Sequence, residues 1–441
     1  MPMAEHLRIE NSVKLFERAL QLIPGGSQTS SKRPSAFAPG AYPIYVDRGS
    51  GSHVWDIDGN EYIDYILGLG PITLGYCYPA INEAVRGQLK RGVIFGLLHP
   101  LEVETAEVIR GVVPCAEMVR FFKTGVEAIS AAVRVARAFT GRDKIATYGY
   151  HGWHDTWACM SPPPAGDGIP KALKSYVYPF RYNDLGSPES LRSLLEAHPG
   201  EFACIVMEPV SYWEKPMEGY LQEVRKLADE HGALLVFDEI VTGFRLALGG
   251  AQELFQVTPD LAVVGKGVAS GMPLSALLGR RKYMEKMKDL LISITHGGET
   301  LSLAAAVAAI KEYKEKKVQS YLWRQGGRLM EEMNRLASEI GVPMEWGGYA
   351  PIPMYRFNVK DSMLADNLMT LWLQENAKRG VLYRRGGPAY ICFSHSDEDI
   401  DKTIAVGREV MRIIEDALRK GDVKSRLEVT GVAEQGVRRF T

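Results

Sequence analysis

The sequence predicts an α/β protein built on a large, mainly parallel sheet, with a mixed α+β part beside it. Two observations carry this. From about residue 80 to 310, short apolar runs alternate with amphipathic helical segments. Those runs are apolar on both faces, as strands covered on both sides must be. The strand candidates are MVRFFK (118–123), KIATYG (144–149), ACIVME (203–208), ALLVFDE (233–239), LAVVGK (261–266) and SALLGR (275–280). Helical stretches such as EAISAAVRVARAFTG and GYLQEVRKLADEHG separate several of them.

The flanking regions read differently. Apolar spacing at Val13, Leu15, Phe16, Ala19, Leu20 and Leu22 predicts an amphipathic helix over residues 9–22. A Pro/Gly/Ser-rich connection, PGGSQTSSKRPSAFAPGAYP, breaks it; connections that long are often functional or cover another subunit. Strand-like pieces follow, with a hairpin-turn signal at Asp58-Gly59. After residue 318 come a long helical segment, a mixed stretch and a last helix, DEDIDKTIAVGREVMRIIEDALRK. From Gly421 on, periodicity is lost and a loosely held tail is expected.

Composition sets limits. The 441 residues suffice for two or more domains with large cores. Lys plus Arg number 52 against 53 Asp plus Glu, so no general field favours nucleic acid or an anionic membrane. The five cysteines are dispersed without CxxC spacing, which fits reduced thiols. The N-terminus has no signal-peptide pattern and no 18-residue apolar run occurs, so the expected compartment is the cytoplasm, with no membrane partner.

Ligands of open α/β sheets gather at the carboxyl ends of strands. After MVRFFK come Thr124, Gly125 and Val126, opening a helix: a strand, a Gly turn and a helix N-terminus that suit an anion. After KIATYG comes Tyr150-His151-Gly152-Trp153-His154-Asp155, where an aromatic can stack on a flat ring. The two histidines and Asp155 also invite a metal reading, but no third ligand cluster has suitable spacing. After ALLVF stand Asp238 and Glu239, two carboxylates ending a buried strand; one can hold a pyridinium N–H, or pair with Arg245. After LAVVG stands Lys266, whose desolvation would make it a nucleophilic amine. Each feature alone has a structural explanation. Together they are what pyridoxal 5′-phosphate (PLP) needs: an anchor for the phosphate, a stacking aromatic, a carboxylate for the ring nitrogen and a lysine for the Schiff base.

The chain resembles the class III aminotransferases, of the fold-type-I PLP-dependent transferase architecture, and looks nearest to the branch that contains glutamate-1-semialdehyde aminomutase. The resemblance covers about residues 12–415 and rests on IPGG (23–26), VWDIDGNEYIDY (54–65), MVRF (118–121), AFTGRDKI (138–145), YHG (150–152), MEPV (207–210), LLVFDEIVTGFR (234–245), TPDLAVVGKGVASGMP (258–273), ETLS (299–302) and SHSDEDID (394–401). It implies a large PLP-binding α/β domain at residues 76–317 and a smaller α+β domain made of an N-terminal segment, 1–75, and a C-terminal one, 318–441. It implies that Lys266 forms the Schiff base, Asp238 pairs with the pyridine nitrogen and Tyr150 stacks on the ring with His151 beside it. Thr124, Gly125 and Val126 would bind the phosphate, and Thr300 would reach the phosphate of the other subunit of a homodimer with its sites at the interface.

The chain departs from the family pattern in three places. Val126 stands where Ser or Thr is usual, and LAAA follows ETLS so that helix continues there. The aminomutase has a glutamate-bearing loop where this chain reads YRRGGPAYICFSH, with two arginines and no acid. That points to an aminotransferase moving an amino group from an amino-acid or amine donor to a carbonyl acceptor by a ping-pong mechanism. Aminomutase or racemase chemistry on the same site is the alternative, and a PLP-binding protein without catalysis a third reading. Other segments, among them GGSQTSSK and RLALGGAQE, are similar to a bacterial subgroup associated with surface-polysaccharide or amino-sugar synthesis. Substrate-pocket candidates are Phe95 and Trp153, with Lys32, Arg33, Arg384 or Arg385 for an anionic group; Glu208 and Arg245 are candidate structural partners near the ring.

Overall fold

The computed structural model describes residues 7–429, which fall into two compact units. One contains the chain up to Tyr78 together with the part from Ser320 on; the other is Pro79–Gln319.

The first unit begins with the expected helix, Glu10–Leu22, fastened by the N–H groups of Asn11 and Ser12 to the Asp58 carboxylate at 2.7 and 3.0 Å. The Pro/Gly/Ser connection is not a bare loop. It winds into short 3₁₀ turns and buries Ala36, Phe37, Ala38, Ala41 and Tyr42, because its apolar residues have a core to enter. Strands β1 (Val46–Ser50), β2 (His53–Asp56) and β3 (Glu61–Asp64) form an antiparallel meander. The β2–β3 turn is where Asp58-Gly59 predicts it: Gly59 has φ +90° and Asp56 accepts the N–H groups of Asp58 and Asn60.

The second unit holds the large sheet. Its strands are β4 (Met118–Phe122), β5 (Lys144–Tyr148), β6 (Val177–Pro179), β7 (Phe202–Met207), β8 (Leu234–Glu239), β9 (Leu261–Val264) and β10 (Ser275–Gly279). The order across the sheet is β4-β10-β9-β8-β7-β5-β6. All neighbours are parallel except β10, which runs antiparallel to both β9 and β4. The six expected strands are present and the short β6 is additional; it is too brief to announce itself by periodicity. Helix Gly125–Thr140 lies on the sheet with Ile129, Ala132, Val133 and Ala136 buried in the same core as Cys204, Val206, Val236, Val263 and Leu277. Each such side chain contributes about 1.5–3 kcal/mol on burial when it is of Val or Leu size. Gly141, with φ +69°, ends the helix in the left-handed geometry that glycine adopts without strain.

The chain then completes the first unit with helix Val318–Ile340, the hairpin of β11 (Met344–Tyr349) and β12 (Ile352–Phe357), helix Ser362–Lys378 and β13 (Val381–Leu382), which adds to β3 in parallel. The last helix, Asp397–Lys420, has Ser396 as N-cap and Gly421 as C-cap. The expectation of a loose tail from Gly421 is corrected as far as residue 429. Val423 is buried, Arg426 pairs with Asp416 and Asp422, and the Glu428 N–H donates to Gln374 at 2.8 Å. The segment has no periodicity because side-chain ion pairs, not a repeating apolar face, hold it. The remaining residues of that tail lie outside the described residues. No helix of the described residues is long and apolar enough to cross a membrane.

Candidate active site

Strand direction brings the chemistry to one edge of the large sheet. β8 and β9 are parallel, with Asp238 opposite Val263 and Glu239 opposite Val264, so both end at that edge. β4 ends there too. Because β10 is reversed, its first residue, Ser275, lies opposite Phe122 and next to the end of β9.

Asp238 is the floor of the site. It is buried, and its Oδ2 is 2.7 Å from His151 Nδ1 while Oδ1 accepts the Ile240 N–H at 3.1 Å. An ionised carboxylate only accepts, so the ring hydrogen sits on Nδ1. His151 is itself buried, its ring edge-on to Trp157, and its Nε2 has no hydrogen-bond partner. Two buried polar groups thus settle most of each other's desolvation cost. The adjacent Glu239 faces the other way and accepts from the Thr242 hydroxyl and from the N–H groups of Ala251 and Gln252. Burial nevertheless pushes its carboxyl above the ordinary range, against those hydrogen bonds. Glu239 fixes the loop; Asp238 faces the site. Arg245 is also buried.

Tyr150 follows the end of β5 with 41% of its surface exposed; an aromatic in this position can stack on a flat ring. Its N–H donates to Glu208 at 2.9 Å, and Glu208, buried after β7, also accepts the Tyr212 hydroxyl at 2.8 Å. The expected structural partner Glu208 therefore orients the Tyr150 backbone.

The turn after β4 opens helix Gly125–Thr140. The N–H groups of Lys123 and Thr124 donate to the Glu127 carboxylate, and the Ser275 hydroxyl donates to the Thr124 carbonyl at 2.7 Å. The N–H groups of Gly125 and Val126 belong to the first helical turn and have no intrahelical acceptor. Gly125 has no room for a side chain: a Cβ would stand 2.3 Å from Ile240 Cδ1. Val126 packs on Gly152, whose Cβ would meet Val126 Cγ2 at 2.5 Å. The hydroxyl missing at Val126 is thus replaced by an apolar contact that joins the phosphate-type turn to the Tyr150–Gly152 turn. Ser130 adds a second tie, with its hydroxyl 3.2 Å from both His154 Nδ1 and Trp157 Nε1. His151 and His154 point to different partners, and among the described residues no group of three His, Cys, Asp or Glu side chains is arranged to hold a metal.

Lys266 opens a 3₁₀ turn after β9 with φ +37°, a conformation that costs a non-glycine residue about 1–3 kcal/mol and clusters at functional sites. The preceding Gly265 rests against Ile240 and Ser275. Ile240 and Ser275, which the sequence does not single out, are therefore the hub between the Thr124–Val126 turn, Asp238 and Lys266. Their only sequence signal is adjacency to the strand ends.

Other expected residues are placed differently. Thr300 is fully buried and its hydroxyl is spent inside its own chain, at 3.0 and 2.9 Å from the carbonyls of Gly92 and Val93 and 3.2 Å from Gln88 Nε2. Phe95 stacks on His99 at 5.3 Å and Trp153 is 72% exposed. In the other unit Lys32 is exposed and the Arg33 guanidinium lies over Gly25. Arg385, the other arginine candidate for an anionic group, is buried and donates to the Phe37 and Asp366 carbonyls and the Thr370 hydroxyl. Arg384, also buried, reaches the Ser31 hydroxyl at 3.2 Å.

A buried carboxylate with an ordered partner, an exposed aromatic face, free N–H groups at a helix start and a strained strand-end lysine fit PLP atom class by atom class. The fold is that of PLP-dependent transferases. The FumI protein of Sphingopyxis sp. MTA144, solved with PLP as its internal aldimine, superposes with a TM-score of 0.85 at 26% identity, over 92% of this chain and 97% of that one. Residues 36–389 match the family Aminotransferase class-III, and the chain belongs to that family, as a PLP-dependent enzyme. The chain is 39% identical to the 3-aminobutyryl-CoA aminotransferase of Cloacimonas acidaminovorans (strain Evry), over 92% of this chain and 98% of that protein. It is 35% identical to the glutamate-1-semialdehyde 2,1-aminomutase of Syntrophobacter fumaroxidans (strain DSM 10017 / MPOB), over 92% and 98%.

Proposed function

We propose that the chain is a ping-pong aminotransferase, taking an amino group from one small-molecule donor and delivering it to a separate carbonyl acceptor. The observation that carries this reading is the buried Asp238, held by His151 at 2.7 Å, beside the left-handed Lys266 at the next strand end. PLP supplies, when bound, a conjugated cationic ring that withdraws electrons from a bond of the attached amine.

The chain's residues do the rest. Lys266 would hold the cofactor covalently and, as a free amine once the donor is bound, would carry the proton from the donor carbon. Asp238, held on its other side by the Nδ1–H of His151, would accept the ring N–H and so favour its positive charge. Tyr150 would cover the ring, and the N–H groups of Gly125 and Val126 would hold the phosphate, with the Thr124 hydroxyl beside them. The donor departs as a carbonyl compound whose oxygen comes from water, and the acceptor then receives the amino group by the reverse sequence.

Two features favour transamination over an intramolecular amine shift. The stretch 383–395 carries no acid where the aminomutase pattern has one. The 39%-identical relative is named as an aminotransferase, and its substrate name puts 3-amino acyl compounds first in a donor panel. Phe95, Trp153, Lys32, Arg33 and Arg384 are the proposed substrate-side residues. We also infer a homodimer, supported by the apolar stretch 89–103, in which Leu97 and Leu98 are 87% and 90% exposed.

The test is a single half-reaction. Purified protein with PLP is mixed with each donor in the absence of acceptor, and the absorbance is followed. Conversion to the aminated cofactor with stoichiometric carbonyl product is expected from one donor. Isomerisation of a substrate with no external donor and no carbonyl product would refute the reading in favour of a mutase.

A further inference from the structure

Helix Thr300–Glu315 is tied at both ends to the frame of the site. At its start Glu299 is the cap. The Glu299 carboxylate accepts the Leu301 N–H and the Ser302 hydroxyl, and it pairs at 2.9 Å with Lys123, the residue before the phosphate-binding turn. In its last turn Tyr313, almost completely buried, donates its hydroxyl to the Gly267 carbonyl at 2.6 Å. Gly267 directly follows Lys266.

The turn that Tyr313 grips is strained. Lys266 has φ +37° and Ser270, which closes the turn, φ +42°. Within the turn the Val268 N–H reaches the Gly265 carbonyl at 2.9 Å, but the Ser270 N–H reaches the Gly267 carbonyl only at 3.4 Å. Strained conformations persist where the surroundings over-determine them. The bond from Tyr313 is a short external constraint on this turn, and its donor is fixed: the ring lies 6.2 Å from that of Phe244 inside the core.

We propose that Tyr313 is a positioning residue for Lys266. Its hydroxyl pins the Gly267 carbonyl and so holds Lys266 in the left-handed conformation from which the amine addresses the cofactor. The proposal rests on Lys266 being the residue that holds PLP.

Tyr313→Phe keeps the ring and removes only the bond. Three measurements are made on the PLP-loaded enzyme: the pH titration of the visible PLP band, the rate at which borohydride fixes PLP to the chain, and kcat and KM separately. The expected result is a titration midpoint moved by about half a pH unit, slower fixation, and kcat lowered about 5- to 10-fold with KM within about twofold. Tyr65→Phe is the control. It removes another buried tyrosine hydrogen bond, to Thr403 at 2.9 Å in the other unit, and should lower Tm comparably without moving the midpoint. An unmoved midpoint and a kcat within twofold of wild type in Tyr313→Phe overturn the proposal, however far Tm falls. Lys266→Ala separates the two levels. If borohydride still fixes PLP to that variant, the reading of Lys266 itself fails; if it does not and Tyr313→Phe behaves as wild type, only the positioning role fails.

Discussion

Gly152→Ala should cost the enzyme its cofactor before it costs the fold. Gly152 has φ +109°, which an L-residue adopts at about 1–3 kcal/mol. Its new methyl would stand 2.5 Å from Val126 Cγ2 and 2.6 Å from Val126 Cβ. Val126 sits in the first turn of a helix, so the methyl must displace backbone, and overpacking of this sort costs about 1–3 kcal/mol more. Displacement at this contact separates the N–H groups of Gly125 and Val126 from Tyr150 and His151, the two halves of the proposed cofactor cradle. If only 1.4 kcal/mol of the total falls on cofactor binding, PLP affinity drops about tenfold. The assay is titration of apoenzyme with PLP, followed by absorbance. The double variant Gly152→Ala/Val126→Gly removes the atoms that clash while keeping the strained φ, and should recover part of the loss; the non-additivity isolates the contact. PLP affinity of Gly152→Ala within threefold of wild type, or no recovery in the double variant, would refute the reasoning.

Other predictions concern separate parts of the molecule. Asp238→Ala should lower kcat/KM by at least about a hundredfold, since it removes the buried partner of His151 along with the ring contact, a loss on the order of 3–5 kcal/mol; near-normal turnover would disprove the assignment. His53 bridges Asp399 at 2.9 Å and Glu61 at 2.8 Å, and the Asp399 hydrogen bond outweighs burial to raise its pKa above the usual 6.5. A raised folded pKa stabilises below the unfolded value and that stabilisation is lost as pH rises through the folded value. The Tm difference between wild type and His53→Ala should therefore be larger at pH 6 than at pH 9, and an equal difference at both would show that the charge is not involved. Leu97→Asp with Leu98→Asp should shift light-scattering mass from dimer to monomer; an unchanged dimer would place the interface elsewhere.

The large sheet was legible because burial on both faces leaves continuous apolar runs, and the runs 118–123 and 233–239 match the strands Met118–Phe122 and Leu234–Glu239 to within one residue. The chemical identities at the strand ends were legible for a related reason. A lysine or aspartate that ends such a run has no structural use obvious from its neighbours, and the family motifs then supply its expected role. The tail at residues 423–429 was not legible, since ion pairs leave no period.

What the sequence by itself determined is which residues stand at strand ends, because alternation and hydrophobicity are local properties of the chain. What only the tertiary structure decided is which of them meet. The reversed direction of β10 brings Ser275 to Thr124, Ile240 fills the space left by Gly125 and Gly265, and of two adjacent carboxylates Asp238 goes to His151 while Glu239 goes to the loop. Thr300 and Arg385 likewise meet partners in their own chain, the Gly92 and Phe37 carbonyls among them, that no local pattern announces. A side chain's type sets what it is able to bind, but its partner is set by strand direction, and by which buried polar group nearby would otherwise go unsatisfied.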